Sequence, residues 1–96
     1  MKMVMIACNE AIDADVLETI ESAGVEGYTK WTKVQGKGRR SGPHLMSHVW
    51  SKGNNVVLCC VEDDRAAALM DGIRRLRKEL GADGIKAFVM PVTEAT

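Results

Sequence analysis

The sequence predicts a single α+β domain over residues 1–96, with two helices and four strands in the order β-α-β-β-α-β. Two short apolar runs, residues 1–8 and 56–61, have the length and composition of strands buried on both faces. A stretch with the apolar spacing of a helix follows each of them. The two remaining strands carry lysines or a proline, which is typical of sheet edges. We therefore expect one sheet with both helices on one of its faces.

The first half of the chain contains a strand, a helix and an edge strand. Asp13 or Asp15 can cap the free amides where the helix begins, and Gly24 is placed to end it. The apolar side of this helix comprises Val16, Leu17, Ile20 and Ala23. The edge strand is predicted at residues 28–35, where residues that favour strands are interleaved with lysines.

A long loop, residues 36–55, joins the second strand to the third. It is rich in Gly, Ser, Lys, Arg and His, and it has neither helical nor strand periodicity. Loops longer than about 12 to 15 residues are uncommon inside compact domains and are usually functional or mobile. We therefore expect this segment to take part in the activity.

The second half repeats the strand-helix-strand arrangement. Asp63 or Asp64 is expected to cap the second helix, and Gly81 is expected to end it. The predicted buried stripe of this helix comprises Ala66, Leu69 or Met70, Ile73, Leu76 and Leu80. The last strand, residues 85–92, contains Pro91, which is tolerated where the missing amide faces a sheet edge.

This order of elements matches the ferredoxin-like sandwich. Two right-handed β-α-β crossovers place the first and third strands in the centre, which gives an antiparallel sheet of order 4-1-3-2. The sheet face opposite the helices then exposes alternate apolar residues of the two central strands. Because such a patch promotes aggregation of a monomer, we expect a subunit interface to cover it.

Composition and charge restrict the classes of function. Lys plus Arg and Asp plus Glu both number 13, and this zero net charge excludes the electrostatic signature of a dedicated nucleic-acid or membrane-surface binder. No apolar run approaches the roughly 18 residues of a membrane span, so we expect a cytoplasmic protein without membrane insertion. The cysteines Cys8, Cys59 and Cys60 lack CxxC spacing and are predicted to be reduced core thiols. No acid and base pair with pocket-like surroundings can be named, so an enzyme is not predicted.

Two turns carry the candidate residues for binding an anion. The turn after the second strand comprises Gly36, Lys37, Gly38, Arg39 and Arg40. Glycines allow the backbone to approach an anion closely, and arginines supply fork-shaped donors for phosphate or carboxylate. Gly84 and Lys86 lie at the turn before the last strand, which in a closed ring of subunits can approach the first turn of a neighbour. A flexible basic turn that keeps an edge strand soluble explains the first group equally well.

A metal site is the alternative function for the long loop. His44 and His48 are four residues apart, so both could bind one transition-metal ion on a helical turn. The third and fourth ligands of a complete site are not near in the sequence. Packing of the loop against a neighbour explains the histidines as well, and Trp50 indicates that this segment packs on something.

Four short segments in this order resemble the PII signalling superfamily, the trimeric ferredoxin-like regulators of nitrogen metabolism and transport. They are residues 23–27 (AGVEG), 34–39 (VQGKGR), 61–64 (VEDD) and 83–89, which contains Asp83-Gly84, Lys86 and Phe88. In that family the segment after the second strand is the signalling T-loop and the turn before the fourth strand is the B-loop. A nucleotide or another small effector binds between subunits against both loops.

The resemblance implies a function and a set of site residues. Residues 36–55 would be a T-loop-like segment, and the effector site would include Gly36, Gly38, Arg39, Gly84 and Lys86. The expected protein is a non-enzymatic homotrimer that binds a small anionic effector, such as an adenine nucleotide, between subunits. It would regulate a partner such as a membrane transporter.

Three departures set the chain apart from the classical members. It stops at Thr96 without the C-terminal arginine pair that grips nucleotide phosphates in those proteins. Its T-loop-like segment is shorter and lacks the tyrosine that is modified in the enterobacterial proteins, and Cys8-Asn9-Glu10 stands in place of Lys-Pro. The chain is therefore more similar to the divergent PII-like proteins, and distantly to CutA.

Overall fold

The computed structural model describes residues 1–37, 53–81 and 84–96. The elements are β1 (Lys2–Asn9), α1 (Asp13–Ser22), β2 (Thr29–Val34), β3 (Asn54–Val61), α2 (Asp63–Leu80) and β4 (Ile85–Pro91). A short 3₁₀ helix, Glu10–Ile12, joins β1 to α1. The predicted order of two helices and four strands is confirmed.

The four strands form one antiparallel sheet of order β2-β3-β1-β4. This is the predicted order 4-1-3-2, with the two apolar strands in the centre. Val4 of β1 lies opposite Cys59 of β3 and Val89 of β4. That register places the helix-facing residues of the central strands in one layer.

The core lies between this sheet and the two helices. The largest fully buried side chains are Val4, Ile6, Cys8, Val16, Ile20, Val57, Cys59, Leu69 and Ile73. They come from β1, β3 and the apolar sides of both helices, so both helices pack on one sheet face as expected. Near its end, α1 is tied to the start of α2, because the Arg65 guanidinium donates a hydrogen bond to the Gly24 carbonyl.

The sheet face opposite the helices is apolar, and no described element of the chain covers it; this is the open face. Its residues include Met3, Met5, Trp31, Leu58, Cys60, Phe88 and Met90, as the register and the alternation of side chains show. Trp31 and Phe88 are 48% and 46% exposed. The exposed face predicted from the sequence is therefore present, but Cys60 lies on it and is not a core thiol, unlike Cys8 and Cys59.

Several predicted boundaries and caps differ from the structure. β3 begins at Asn54, so the last two residues of the predicted loop 36–55 belong to a strand. Glu62, and neither Asp63 nor Asp64, is the N-cap residue of α2. Leu80 is 47% exposed and lies outside the buried stripe.

The start of α1 also differs from the prediction. The N-cap residue of α1 is Ile12, whose side chain makes no capping hydrogen bond. The preceding 3₁₀ helix is capped by Asn9, whose Oδ1 accepts a hydrogen bond from the Ala11 amide at 2.9 Å. The Asp13 carboxylate instead binds side chains of β2 and β3. Neither helix, as far as the chain is described, is long and apolar enough to cross a membrane.

Candidate functional site

The two candidate turns lie at the same end of the sheet. Val34 at the end of β2 is paired with Asn54, which is paired in turn with Asn9 at the end of β1. The Asn9 amide donates a hydrogen bond to the Gly84 carbonyl, directly before β4, at 2.8 Å. Gly36 follows Val34 by two residues, and Gly84 is bonded to Asn9. Both turns therefore lie beside the row of paired residues Val34, Asn54 and Asn9.

Within one chain the two turns lie at opposite edges of the sheet. β3 and β1 separate β2 from β4, so at about 4.8 Å per strand the turns are roughly 14 Å apart. Lys86 is exposed and lies on the open apolar face, since it is paired with Ala7, whose neighbours Ile6 and Cys8 face the core. The turn at Gly84 and the turn at Gly36 can therefore form one cleft when a second subunit brings the opposite edges together.

Gly36 is packed against β3. A Cβ atom at this position would lie 2.5 Å from Asn54 Nδ2, closer than real Cβ contacts allow. The absence of a side chain at Gly36 therefore leaves room for the Asn54 side chain beside the exit of β2. The next residue, Lys37, is exposed.

The backbone of β2 is irregular just before this exit. Lys33 has a φ of 56°, a left-handed conformation that is uncommon for residues other than glycine, and the pairing with β3 shifts between Trp31 and Val34. The Lys33 amide donates a hydrogen bond to Asn55 Oδ1 at 3.2 Å. On the other side, a Cβ atom at Gly53, which has a φ of 126°, would lie 3.4 Å from Lys33 Cα.

A polar cluster lies beneath this irregular segment. Asp13 Oδ2 accepts a hydrogen bond from Lys30 Nζ at 2.6 Å, and Asp13 Oδ1 accepts one from Asn55 Nδ2 at 2.7 Å. Asn55 is only 4% exposed, so its amide needs these partners. Burial would raise the pKa of Asp13, but the hydrogen bonds from Lys30 and Asn55 and the charge of Lys30 lower it overall. The hydrogen bond to Asp13 raises the pKa of Lys30.

The thiol of Cys8 lies close to this cluster. Burial, followed by the charge of Asp13, raises the pKa of Cys8 to about 11. A thiol with that pKa is almost entirely protonated at neutral pH and is therefore a poor nucleophile. Cys8 is a buried core thiol, as the sequence predicted, and it lies beside the polar cluster.

Sequence reasoning missed the cluster of Asp13, Lys30 and Asn55. The local pattern predicts Asp13 or Asp15 as a helix cap, places Lys30 among the lysines of a partly solvated edge strand, and ends the long loop at Asn55. One signal was available in the alternation of β2, which places Lys30 and Trp31 on opposite faces. With Trp31 on the open face, Lys30 must face the helices and needs an anionic partner there.

Five of the predicted site residues lie outside the described part of the chain. They are Gly38, Arg39, Arg40, His44 and His48. Among residues 1–37, 53–81 and 84–96 there is no group of three or more His, Cys, Asp or Glu residues that could hold a metal ion. Metal binding by the two histidines therefore stays a prediction.

A shallow cleft between the two helices is separate from this site. Its volume is about 290 Å³, and its lining includes Glu18, Thr19, Gly72 and Arg75. None of the predicted site residues contributes to it. The cleft carries acidic and basic side chains that face solvent, and no reactive constellation is formed there.

A family profile and solved structures of other proteins match this chain. The sequence profile of the family described as nitrogen regulatory protein P-II matches residues 1–96. A structure of CPII, a nitrogen regulatory PII-like protein from Thiomonas intermedia K12 bound to ADP, AMP and bicarbonate, is 19% identical with a TM-score of 0.76. That match covers 99% of this chain and 92% of CPII. No curated protein matches significantly.

Two further structures have the same fold. The apo form of CPII is 21% identical with a TM-score of 0.69, and the match covers 93% of this chain and 85% of that one. A PII-like signalling protein from Thermus thermophilus is 23% identical with a TM-score of 0.63, and the match covers 95% and 85% of the two chains. The structural likeness shows the fold, and the profile match over the whole chain shows the family. The chain therefore belongs to the nitrogen regulatory protein P-II family, as a divergent PII-like member.

Proposed function

We propose that the chain is a non-enzymatic regulatory protein that binds a small anionic effector between the subunits of a homotrimer and thereby regulates a partner such as a membrane transporter. One observation carries the proposal: the turn at Gly36 and Lys37 and the turn at Gly84 lie at the same end of the sheet but at opposite edges. The two turns would form one binding cleft, the effector cleft, when the β2 edge of one subunit meets the β4 edge of the next.

The open apolar face supports association. Full burial of an exposed large apolar side chain provides about 1.5–3 kcal/mol, and side chains such as Trp31 and Phe88, which are about half-exposed, forfeit part of it in a single subunit. The whole stability of a domain of this size is about 5–15 kcal/mol. Packing the open faces of several subunits around a common axis would recover this energy. The trimer as the form of association is the arrangement typical of the family.

The chemistry of the two turns favours a phosphate-bearing effector. Lys37 and Lys86 supply positive charge, and Gly36 leaves its backbone accessible beside Asn54. Gly38, Arg39 and Arg40 would add further donors from the adjoining segment. The CPII structure bound to ADP, AMP and bicarbonate supports adenine nucleotides as the first class to test.

Regulation would follow from binding at this position. An effector that contacts residues 36–55 as well as a second subunit favours the loop conformation for which it has the higher affinity. The partner would then recognise that conformation. The proposal therefore requires no chemical reaction in the cleft.

Isothermal titration calorimetry with ADP, AMP, ATP and bicarbonate tests this function. We expect binding of at least one of these ligands, and a lower affinity in Lys86→Ala. The matched control is Lys2→Ala, which removes a lysine at the other end of β1, where Lys2 is paired with Val61 and Pro91. Absence of binding across the panel, together with an unchanged melting temperature, would contradict the proposal.

A further inference from the structure

We propose that Asp13 and Asn55 are positioning residues for the effector cleft: they fix the backbone of Lys33 and thereby set the direction in which the chain leaves β2 toward Gly36 and Lys37. Both side chains lie beneath the cleft, and neither belongs to the two turns. The effect on the effector rests on the proposed function, whereas the effect on Lys33 does not.

The orientation of the Asn55 amide is determined by Asp13. A carboxylate can only accept hydrogen bonds, so Asn55 must present Nδ2 to Asp13 Oδ1, at 2.7 Å. Asn55 Oδ1 then necessarily points the other way, where it accepts the Lys33 amide at 3.2 Å. The position of one negative charge therefore decides which end of the amide faces β2.

The Lys33 backbone needs this support. A left-handed residue with a side chain is less stable than the same residue in an extended strand, because its Cβ atom crowds the backbone. The hydrogen bond from Lys33 to Asn55 favours the left-handed conformation over an extended one. Gly53 complements it, because a Cβ atom there would lie 3.4 Å from Lys33 Cα.

Two lysines connect β2 to the region where α1 begins. Lys30 Nζ binds Asp13 Oδ2 at 2.6 Å, which holds the carboxylate in place beneath β2. Lys33 Nζ lies 3.7 Å from Glu10 Oε2, and the Lys33 side chain is 74% exposed, so this ion pair is weak. The hydrogen bonds of Asp13 and Asn55 are more shielded from solvent than this ion pair, so they are the main determinants of the Lys33 conformation.

A fixed direction of the chain after β2 increases the affinity for the effector. Donors that are already aimed at the effector lose less conformational entropy when it binds. Gly36 and Lys37 follow the left-handed residue by three and four positions, so a change of the Lys33 backbone would redirect both. Asp13 and Asn55 would therefore influence affinity without touching the effector.

Exchange of the two side chains between positions gives the sharpest test. Asn55→Asp places two carboxylates against each other, and Asp13→Asn removes the charge that orients the amide. In the double variant Asp13→Asn/Asn55→Asp, the amide at position 13 donates to the carboxylate at position 55, whose other oxygen accepts the Lys33 amide. The double variant also conserves the net charge.

The first measurement is hydrogen exchange of the Lys33 amide by NMR, with the Ile6 amide in the central strand as the control for global unfolding. We expect each single substitution to accelerate exchange at Lys33 by about tenfold and the double variant to restore most of the protection. Asn55→Ala, which removes the amide without adding charge, serves if Asn55→Asp does not fold. Unchanged exchange at Lys33, or a double variant no better than the single ones, would overturn the proposal.

The second measurement is the affinity for ADP in the same variants. We expect it to fall in the single variants and to recover in the double variant, in step with Lys33 protection. Changed protection with unchanged affinity would overturn the role in binding. If the wild type binds no ligand of the panel, the proposed function fails, and the exchange data alone still decide whether Asp13 and Asn55 position Lys33.

Discussion

Gly72 of α2 lies directly against Thr19 of α1: a Cβ atom at position 72 would lie 2.7 Å from Thr19 Cγ2. This contact sets how closely the two helices approach each other above the sheet. A glycine inside a long helix is otherwise unfavourable, by about 1 kcal/mol relative to alanine. The close approach explains why glycine fits at this position.

We expect Gly72→Ala to destabilise the protein, because the clash, about 1–3 kcal/mol for an overpacked site, outweighs the gain in helix propensity. Thr19→Ser removes Cγ2 and retains the hydroxyl that donates to the Asp15 carbonyl at 2.8 Å. The double variant should therefore be at least as stable as Thr19→Ser alone. Urea unfolding measures all three, and equal destabilisation by Gly72→Ala in both backgrounds would contradict the contact.

The ion pair of Asp13 and Lys30 predicts a pH dependence of stability. Because the pKa of Asp13 is lower in the folded state, its stabilisation is present above the unfolded pKa of about 3.9 and is lost as the pH falls through the folded-state pKa. Asp13→Asn should lower the free energy of unfolding by about 1–3 kcal/mol at neutral pH. The difference from wild type should narrow below about pH 4. Urea unfolding across this range checks it, and a constant difference would contradict it.

Reactivity of Cys60 reports whether the open face is covered. Cys8 and Cys59 are buried within the subunit, whereas Cys60 lies on the open face. In an assembled oligomer we expect no thiol of the native protein to react rapidly with a thiol reagent. Phe88→Glu should disrupt the interface and make one thiol per chain reactive, while light scattering shows the mass falling toward one 10.5 kDa chain.

Leu80→Glu is the matched control for this experiment, because Leu80 is as exposed as Phe88 but lies at the end of α2. Its mass and thiol reactivity should equal those of wild type. Rapid reaction of Cys60 in the wild-type protein, with a monomeric mass at micromolar concentration, would refute the covered face.

Gly36→Ala should weaken effector binding. The added Cβ atom would lie 2.5 Å from Asn54 Nδ2, so the Asn54 amide must turn away, and the methyl group would occupy space beside the backbone that the effector approaches. Gly27→Ala is the control, because a Cβ atom at that position meets no atom within 4 Å. Calorimetry with ADP should show a reduced affinity for the first variant and wild-type affinity for the second. Equal affinities would contradict the requirement for glycine at position 36.

The fold could be predicted because each main element carries a local signal. The central strands are apolar on both faces, and glycines follow both helices, so composition alone separated centre from edge. The faces of the central strands were harder to assign, because in an all-apolar run the inward and outward residues look alike. Cys59 and Cys60 illustrate this, since one is buried against the helices and the other is exposed.

The alternation of β2 indicates that Lys30 needs a partner on the helix side of the sheet, but no local pattern identifies Asp13 and Asn55 as the other members of the polar cluster. Asn55 favours a loop by its own propensity, and it is stable in a buried strand position because Asp13 and Lys33, 42 and 22 residues away, satisfy its amide. Lys30 is accommodated in the same way by a partner 17 residues away. Such compensation between distant residues leaves no periodicity in the sequence. The positions of the two turns, in contrast, follow from their glycines, whereas their part in effector binding stays a prediction.

The pairing of Val34 with Asn54 has an evolutionary consequence. The chain leaves the sheet at the end of β2 and returns to it at the start of the adjacent strand β3. Residues inserted or deleted between these positions therefore need not change the register between β2 and β3. For a flexible connection, each doubling of its length raises the free energy of closure by only about 0.6 kcal/mol. Lineages can therefore lengthen, shorten or replace this segment to suit new partners while they inherit the domain beneath it unchanged.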